Sequence, residues 1–221
     1  MVDQIDNIDS LKEDLEVKGQ KVDKINILFL DISSACTGYS IASVDFTTKE
    51  VNFTYSGAIW LNPDWSHQEK YNYMFHAVSN YFWVVMGIDY IVVEQYSVNK
   101  KKMMGINVVS EMQGAIKAAA WENGVKVSSI LPQTWRSRLG IKKNAQGDFK
   151  EPTKVKVRTY VQVPDNSTSN ITGVERQTPN DLFDAIAIGL GWLVKIGFDD
   201  TKFKFDKMKF NPHVGYDIKG G

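Results

Sequence analysis

Cysteine is nearly absent from this chain. Cys36 is the single one in 221 residues, so no internal disulfide can form and a reducing cytoplasm is the expected compartment. Histidine is also scarce. His67, His76 and His213 are scattered without metal-ligand spacing and read as surface or core residues, not as a zinc set. No apolar run reaches the length that a membrane-spanning helix needs, so no membrane association is expected. The opening residues are acidic and polar, so neither a signal peptide nor a transit peptide is expected. Internal repeats, low-complexity tracts and a Gly-rich nucleotide loop are missing too, and no small-molecule cofactor is expected.

What remains is an ordinary globular balance. Hydrophobic residues make up 43% and charged residues 24%, enough for one domain with a real core. The net charge is zero, but its distribution is uneven. Between Gln95 and Arg158, 13 Lys/Arg stand against 4 Asp/Glu, so the remainder of the chain is correspondingly acidic. Such asymmetry fits a basic surface beside an acidic site, or else a solvated Lys-rich loop region.

Residues 1–24 alternate charged and apolar positions, as in a short amphipathic helix (Ile5, Ile8, Leu11, Leu15) or a mobile arm. The core begins at Ile25. Ile27-Leu28-Phe29-Leu30 is a continuous apolar run ending in Asp31, the pattern of a strand buried on both faces. Thr37–Val44 and Val51–Trp60 read as two further strands of an antiparallel meander. A helix is expected from about Ser66 to Met86, with Ser66 and Glu69 at capping-box spacing. Tyr90-Ile91-Val92-Val93 is a second buried strand, ending in Glu94. A helix from Met103 to Glu122, a strand from Val125 to Leu131, and helices at Pro152–Val163 and Asn180–Lys195 follow. The Ser/Thr/Asn-rich stretch Pro164–Pro179 reads as a flexible loop. The order predicts an α/β fold with a mixed five-stranded sheet, three antiparallel strands and then parallel ones, flanked by helices.

Four acidic residues stand out by placement. Asp31 and Glu94 each follow an apolar strand, where Asp is poorly suited and Glu is costly to bury. Asp181 and Asp184 share a face at the start of the apolar helix DLFDAIAIGLGWL. Each has a plainer reading: Asp31 as a turn residue, Asp181 as a favourable charge at a helix N-terminus. Glu94 is harder to dismiss, because Glu is not a favoured cap or turn residue. If the two strands are parallel neighbours, their C-terminal ends adjoin, where ligand sites in open α/β sheets collect. Four converging carboxylates repel one another unless cations intervene. A donor set of oxygens alone suits Mg²⁺, with Mn²⁺ substituting, rather than Zn²⁺.

At these residues the chain resembles the RuvC Holliday-junction resolvases of the RNase H-like superfamily. Phe29-Leu30-Asp31-Ile32 followed by Thr37-Gly38-Tyr39 is similar to that family's first strand and the start of its second. Tyr55-Ser56-Gly57 is similar to its third strand, and Asp89-Tyr90 through Glu94-Gln95 to its fourth. Gly140-Ile141, Lys154 and Val157-Arg158-Thr159 resemble its basic substrate-facing stretch, and Asp181–Ile188 its final Asp-x-x-Asp-Ala helix. The likeness spans residues 25–195. It implies an RNase H-like fold over residues 25–198, flanked by the 1–24 extension and a 199–221 tail. It further implies a homodimer, Mg²⁺ dependence, nicking of four-way junctions, and Asp31, Glu94, Asp181 and Asp184 as the catalytic, metal-holding acids. The family's dimer helix corresponds to the helix from Met103, rich in Gly and Ala.

The chain also departs from the family. Asp31-Ile32-Ser33 replaces the usual Asp-Pro-Gly, and the 164–179 loop is longer than typical. The family's basic support residue falls on Arg136 or a neighbour, and its second lysine on Lys150 or Lys154. These differences point to a divergent, phage-encoded member working in a bacterial cytoplasm without branch-migration partners.

Branched DNA is the expected partner. Lys100, Lys101 and Lys102 follow Glu94 closely and would neutralise phosphates near the metals. Tyr96 is either a base-stacking residue or a core or rim aromatic. Arg136, Arg138, Lys142, Lys143, Lys150, Lys154, Lys156 and Arg158 would line the DNA arms as sequence-independent contacts. The aromatic and charged tail Lys202–Phe210 is an extra strand, a partner-binding segment or a DNA arm. Three other readings compete: an actin- or hexokinase-like phosphotransferase, a non-catalytic junction-binding protein, and an RNase H-like nuclease acting on RNA–DNA hybrids. The first needs a second domain and an adenosine loop that this chain lacks. The second has no use for four acids. The third shares the metal site and differs only in the groove.

Overall fold

The computed structural model describes residues 5–16, 22–95, 103–169 and 172–210. Its elements in chain order are α1 (Ile8–Leu15), β1 (Lys24–Ile32), β2 (Cys36–Asp45), β3 (Glu50–Trp60), α2 (His67–His76), β4 (Tyr90–Glu94), α3 (Met103–Glu122), β5 (Lys126–Ile130), α4 (Pro132–Arg138), α5 (Lys150–Arg158), β6 (Asn166–Thr168), β7 (Glu175–Gln177), α6 (Asn180–Ile196), β8 (Phe203–Lys204) and β9 (Lys209–Phe210). The sheet runs β5-β4-β1-β2-β3-β8, with β9 also on β3. β1, β2 and β3 pair antiparallel, while β4 pairs parallel to β1 and β5 parallel to β4. This is an α/β fold of the RNase H-like kind, with a central mixed sheet between helices.

Alternation along β1 splits the core in two. Ile25, Ile27 and Phe29 join one buried cluster with the apolar face of α6, Trp135 of α4 and Val157 of α5. Leu28, Leu30 and Ile32 join the other, with α2 and α3. A strand covered on both faces needs apolar residues at every position, and Ile27-Leu28-Phe29-Leu30 supplies them up to Asp31. Asp31 continues the series of Phe29 and so lies on the α6 side of the sheet.

α6 packs unusually close to its neighbours because two of its residues have no side chain. A β-carbon at Gly189 would stand 2.9 Å from the Phe29 ring, and one at Gly191 would stand 2.6 Å from Cβ of Trp135. The first glycine admits the sheet and the second admits α4.

The structure differs from the sequence expectations in several places. Two short strands, β8 and β9, extend the sheet beyond five, each parallel to β3 at its outer edge. Phe205 between them stacks on Phe53 at 4.9 Å, and this aromatic contact pins the tail segment. The stretch Pro164–Pro179 holds the hairpin β6–β7 rather than a structureless loop. Its polar residues satisfy the backbone locally: the Thr178 hydroxyl donates to the Pro164 carbonyl at 2.7 Å, and the Gly173 amide to Ser169 at 2.9 Å. The expected helix from Ser66 does carry its capping box, but after His76 it widens into a π-helix over Ala77–Val85. The short α4 had no periodicity long enough to announce it. Near the N-terminus α1 is helical, capped by Asn7 and Ser10, with Leu11 buried. Among the described residues no helix is long and apolar enough to cross a membrane.

Replacing Gly191 with Val should lower the melting temperature by several degrees. The branched side chain has to displace the α4 backbone, and overpacking of this kind costs about 1–3 kcal/mol. Thermal melts monitored by circular dichroism test this.

Candidate active site

The pocket is set by strand register. Leu30 of β1 pairs with Val93 of β4 in a parallel ladder, so Asp31 and Glu94 come next to each other one residue further on. Parallel neighbours lie about 4.8 Å apart, and residues in register share a face. On the other side of β1, Asp31 pairs with Gly38 of β2. The first turn of α6 lies directly on that glycine. A β-carbon at Gly38 would stand 1.8 Å from the Asp181 carbonyl oxygen, so no residue with a side chain fits. This contact brings Asp181, and Asp184 one turn later, over the ends of β1 and β4.

The electrostatics show that the four carboxyl groups share one environment. All four are half-buried. Burial pushes Asp31 well above the ordinary carboxylate range, and the charges of Glu94, Asp184 and Asp181 add to it, with Arg136 opposing. Asp184 is pushed up to about 7 by burial first and Glu94 next, against Arg136 and Lys150. Burial raises Asp181, opposed by its own backbone amide, the Ser33 side chain and Lys150. Burial raises Glu94 as well, and a hydrogen bond from Trp135 and the charge of Arg136 pull it down.

Glu94 is the most firmly held of the four. Nε1 of Trp135 donates to its Oε1 at 2.8 Å, and Nη2 of Arg136 stands 3.9 Å from the same oxygen. The Glu94 carbonyl accepts from Nε2 of Gln113 at 3.0 Å. The Arg136 guanidinium lies between two rings, 4.5 Å from that of Trp135 and 4.6 Å from that of Phe149. Its Nε is buried without a hydrogen-bond partner. Trp135, Gln113 and Ser33 were not anticipated from the sequence. A lone Trp reads as core, and nothing in its spacing links it to Glu94. Cys36 is buried beside the acids; burial pushes its thiol up, and Asp181 and Asp31 add to that.

The expected basic residues differ in what they contact. Arg136 and Lys150 act on the carboxylates directly. Lys154 and Arg158 follow Lys150 at successive turns of α5, and both lie over the ring of Phe183, at 5.8 and 5.5 Å. Phe183 lies between the two acids in the sequence of α6 and is buried in the core. Lys154 also pairs with Glu151 and Arg158 with Asp165, at 3.0 and 2.9 Å. Lys143 stands over Phe149 and Lys156 over Tyr160, while Arg138 and Lys142 are exposed. Tyr96, Lys100, Lys101 and Lys102 lie outside the described residues.

A divalent cation fits this donor set by chemistry. Four hard oxygen donors sit partly desolvated with too little positive charge to balance them, which suits Mg²⁺ or Mn²⁺. The fit lies in the donors and their shared pocket, not in a closed coordination shell: among the described residues, no three acidic, histidine or cysteine side chains are gathered tightly enough to surround one ion.

No protein-family model matches the chain, and no curated protein matches it in sequence. Solved structures match it in fold. Thermus thermophilus RuvC superimposes with a TM-score of 0.56 at 18% identity, over 79% of this chain and 98% of that one, both in complex with a Holliday junction substrate and in a separate structure. The yeast mitochondrial Holliday junction resolvase Ydc2 matches with a TM-score of 0.50 at 14% identity, over 77% of this chain and 78% of that one. At these identities the likeness establishes a shared RuvC-like fold.

Burial of the acids, and then their crowding, costs the metal-free protein stability. Asp184 holds its proton up to about pH 7 in the folded chain but releases it near its ordinary value when unfolded. Between those values the folded chain binds more protons, so stability falls as pH rises through the window and levels off above it. Asp184→Asn should therefore raise the melting temperature in chelator by several degrees at pH 7.5. The gain should shrink toward zero near pH 4. Calorimetry across pH 4–8 measures it.

Proposed function

We propose that this chain is a divalent-metal-dependent endonuclease that nicks branched DNA, chiefly four-way junctions. The observation that supports the reading is the register of β1 on β4 together with the seat of α6 on Gly38, which bring four mutually repelling carboxylates to one end of the sheet. It is supported by a fold shared with a RuvC solved on a Holliday junction substrate.

Asp31, Glu94, Asp181 and Asp184 would hold the cations. When bound, a pair of Mg²⁺ or Mn²⁺ ions supplies an activated water and charge stabilisation for the leaving oxygen of a phosphodiester. The protein's own part is placement. Arg136, its guanidinium over the rings of Trp135 and Phe149, keeps a positive charge beside Glu94. Lys150, Lys154 and Arg158 form a rail for a DNA backbone leading into it. Their partners Glu151 and Asp165 are exposed, and such pairs contribute little in water, so phosphates can take their place. A homodimer through α3 follows from the same reading. Ser110, Gly114, Lys117 and Trp121 recur along one exposed face of that helix, and Trp121 is 86% exposed. A non-catalytic junction binder would carry the cost of the buried acids without using them.

A synthetic four-way junction, incubated with the purified chain and Mg²⁺ or Mn²⁺, should be nicked. Asp31→Asn should bind it unchanged and leave it intact, a loss of at least about a thousand-fold in rate, the scale of losing a key electrostatic group. Nicking in chelator, or by Asp31→Asn, would refute the site. Forks, flaps and RNA–DNA hybrids under the same metal conditions separate junction preference from hybrid cleavage.

Neutralising Lys150, Lys154 and Arg158 together should weaken junction binding and flatten its salt dependence. The slope of log K against log salt should fall by about 2–3, near 0.9 for each phosphate no longer neutralised. An unaltered slope removes the rail from the interface.

A further inference from the structure

The most consequential contact outside the acids is made by a residue with no exposure to solvent. Trp135 is fully buried, and a buried indole N–H requires an acceptor. Its acceptor here is Oε1 of Glu94, across 41 residues of chain, at 2.8 Å. The indole has little freedom to leave. Its Cβ is pressed against Gly191, and the Arg136 guanidinium lies over its ring. α4 itself begins on Pro132 immediately after β5, the strand next to Glu94. Glu94 is thus gripped at both ends, by Trp135 at the carboxylate and by Gln113 at the carbonyl.

We infer that Trp135 is a positioning residue that commits one oxygen of Glu94 to the protein and presents the other, Oε2, to a divalent cation. The inference rests on the nuclease reading of the pocket and adds a residue to it. A glutamate at the end of a strand has three side-chain torsions to fix before it can serve as a ligand. A donor locked into the core fixes them beforehand, and outer-shell hydrogen bonds of this kind typically govern metal affinity by about 10–100-fold. An indole that served only the core would be indifferent to loss of its N–H, provided its shape were kept.

The experiment separates shape from hydrogen bond. Mn²⁺ binding to the full chain, without DNA, is measured by titration calorimetry and by electron paramagnetic resonance of the free ion. Three proteins are compared: the unaltered chain, Trp135→Phe, and a chain carrying 3-benzothienylalanine at position 135, where sulfur replaces the N–H in a ring of the same outline. Both variants should bind Mn²⁺ at least about ten-fold more weakly, and nicking should recover at high Mn²⁺. The benzothienyl chain should melt within a few degrees of the unaltered one, and junction affinity in chelator should be the same. Unchanged Mn²⁺ affinity in the benzothienyl chain overturns the inference and leaves the nuclease reading standing. An unaltered chain that binds no Mn²⁺ overturns both. If Trp135→Phe unfolds, the benzothienyl chain alone decides.

Discussion

The site depends on one close approach, the first turn of α6 lying on the backbone of Gly38. Helix and strand normally stand apart by the thickness of their side chains. Here a glycine removes that thickness beside the strand that carries Asp31, so a helix carrying two acids comes down beside a sheet carrying two more. Gly189 and Gly191 continue the same close packing further along α6, against Phe29 and Trp135. The apolar remainder of α6 is buried almost throughout, and this burial drives the docking against the repulsion at its N-terminal end. The core therefore holds together a cluster that its own charges oppose.

That opposition gives the pocket its chemistry. Arg136 and Lys150 offset part of the negative charge, Trp135 and Ser33 offset more, and the carboxyls still remain above their ordinary range. A pocket balanced by its own salt bridges would have little affinity left for a cation. Two further basic side chains, Lys154 and Arg158, lie along α5 over Phe183. The acids are left under-compensated by the positive charge that reaches them.

Much of this was legible in the sequence, because burial on both faces leaves a simple mark. An unbroken apolar run that ends in a carboxylate is visible in ILFLD and YIVVE, and the i, i+3 acids of DLFDAIAI declare their shared face. The local charge excess announced a basic flank, although not that Lys154 and Arg158 would meet at Phe183. What the sequence did not reveal were contacts between residues that look ordinary alone. Trp135 is an apolar residue in a short helix with no period, and only the packing of α4 against α6 brings its N–H to Glu94. The 164–179 segment misled by composition: Ser, Thr and Asn mark loops on average, but here they close hydrogen bonds across a hairpin. The tail bears out the first of its three readings, an extra strand. Its alternation of Lys and Phe suits a strand, yet its partner β3 lies near the other end of the chain.

The pairing of that tail has a consequence for association. β3 is the last long strand on its side of the sheet, and an uncovered border of this kind offers amide and carbonyl groups to any extended peptide that meets it. β8 and β9 take two stretches of that border, at Val51–Asn52 and Tyr55–Ser56, with the chain's own backbone. They are too short and too interrupted to act as a template in turn. On this side the chain's own backbone occupies part of the sheet's border, and a neighbouring molecule finds fewer open amides and carbonyls on which to add a strand.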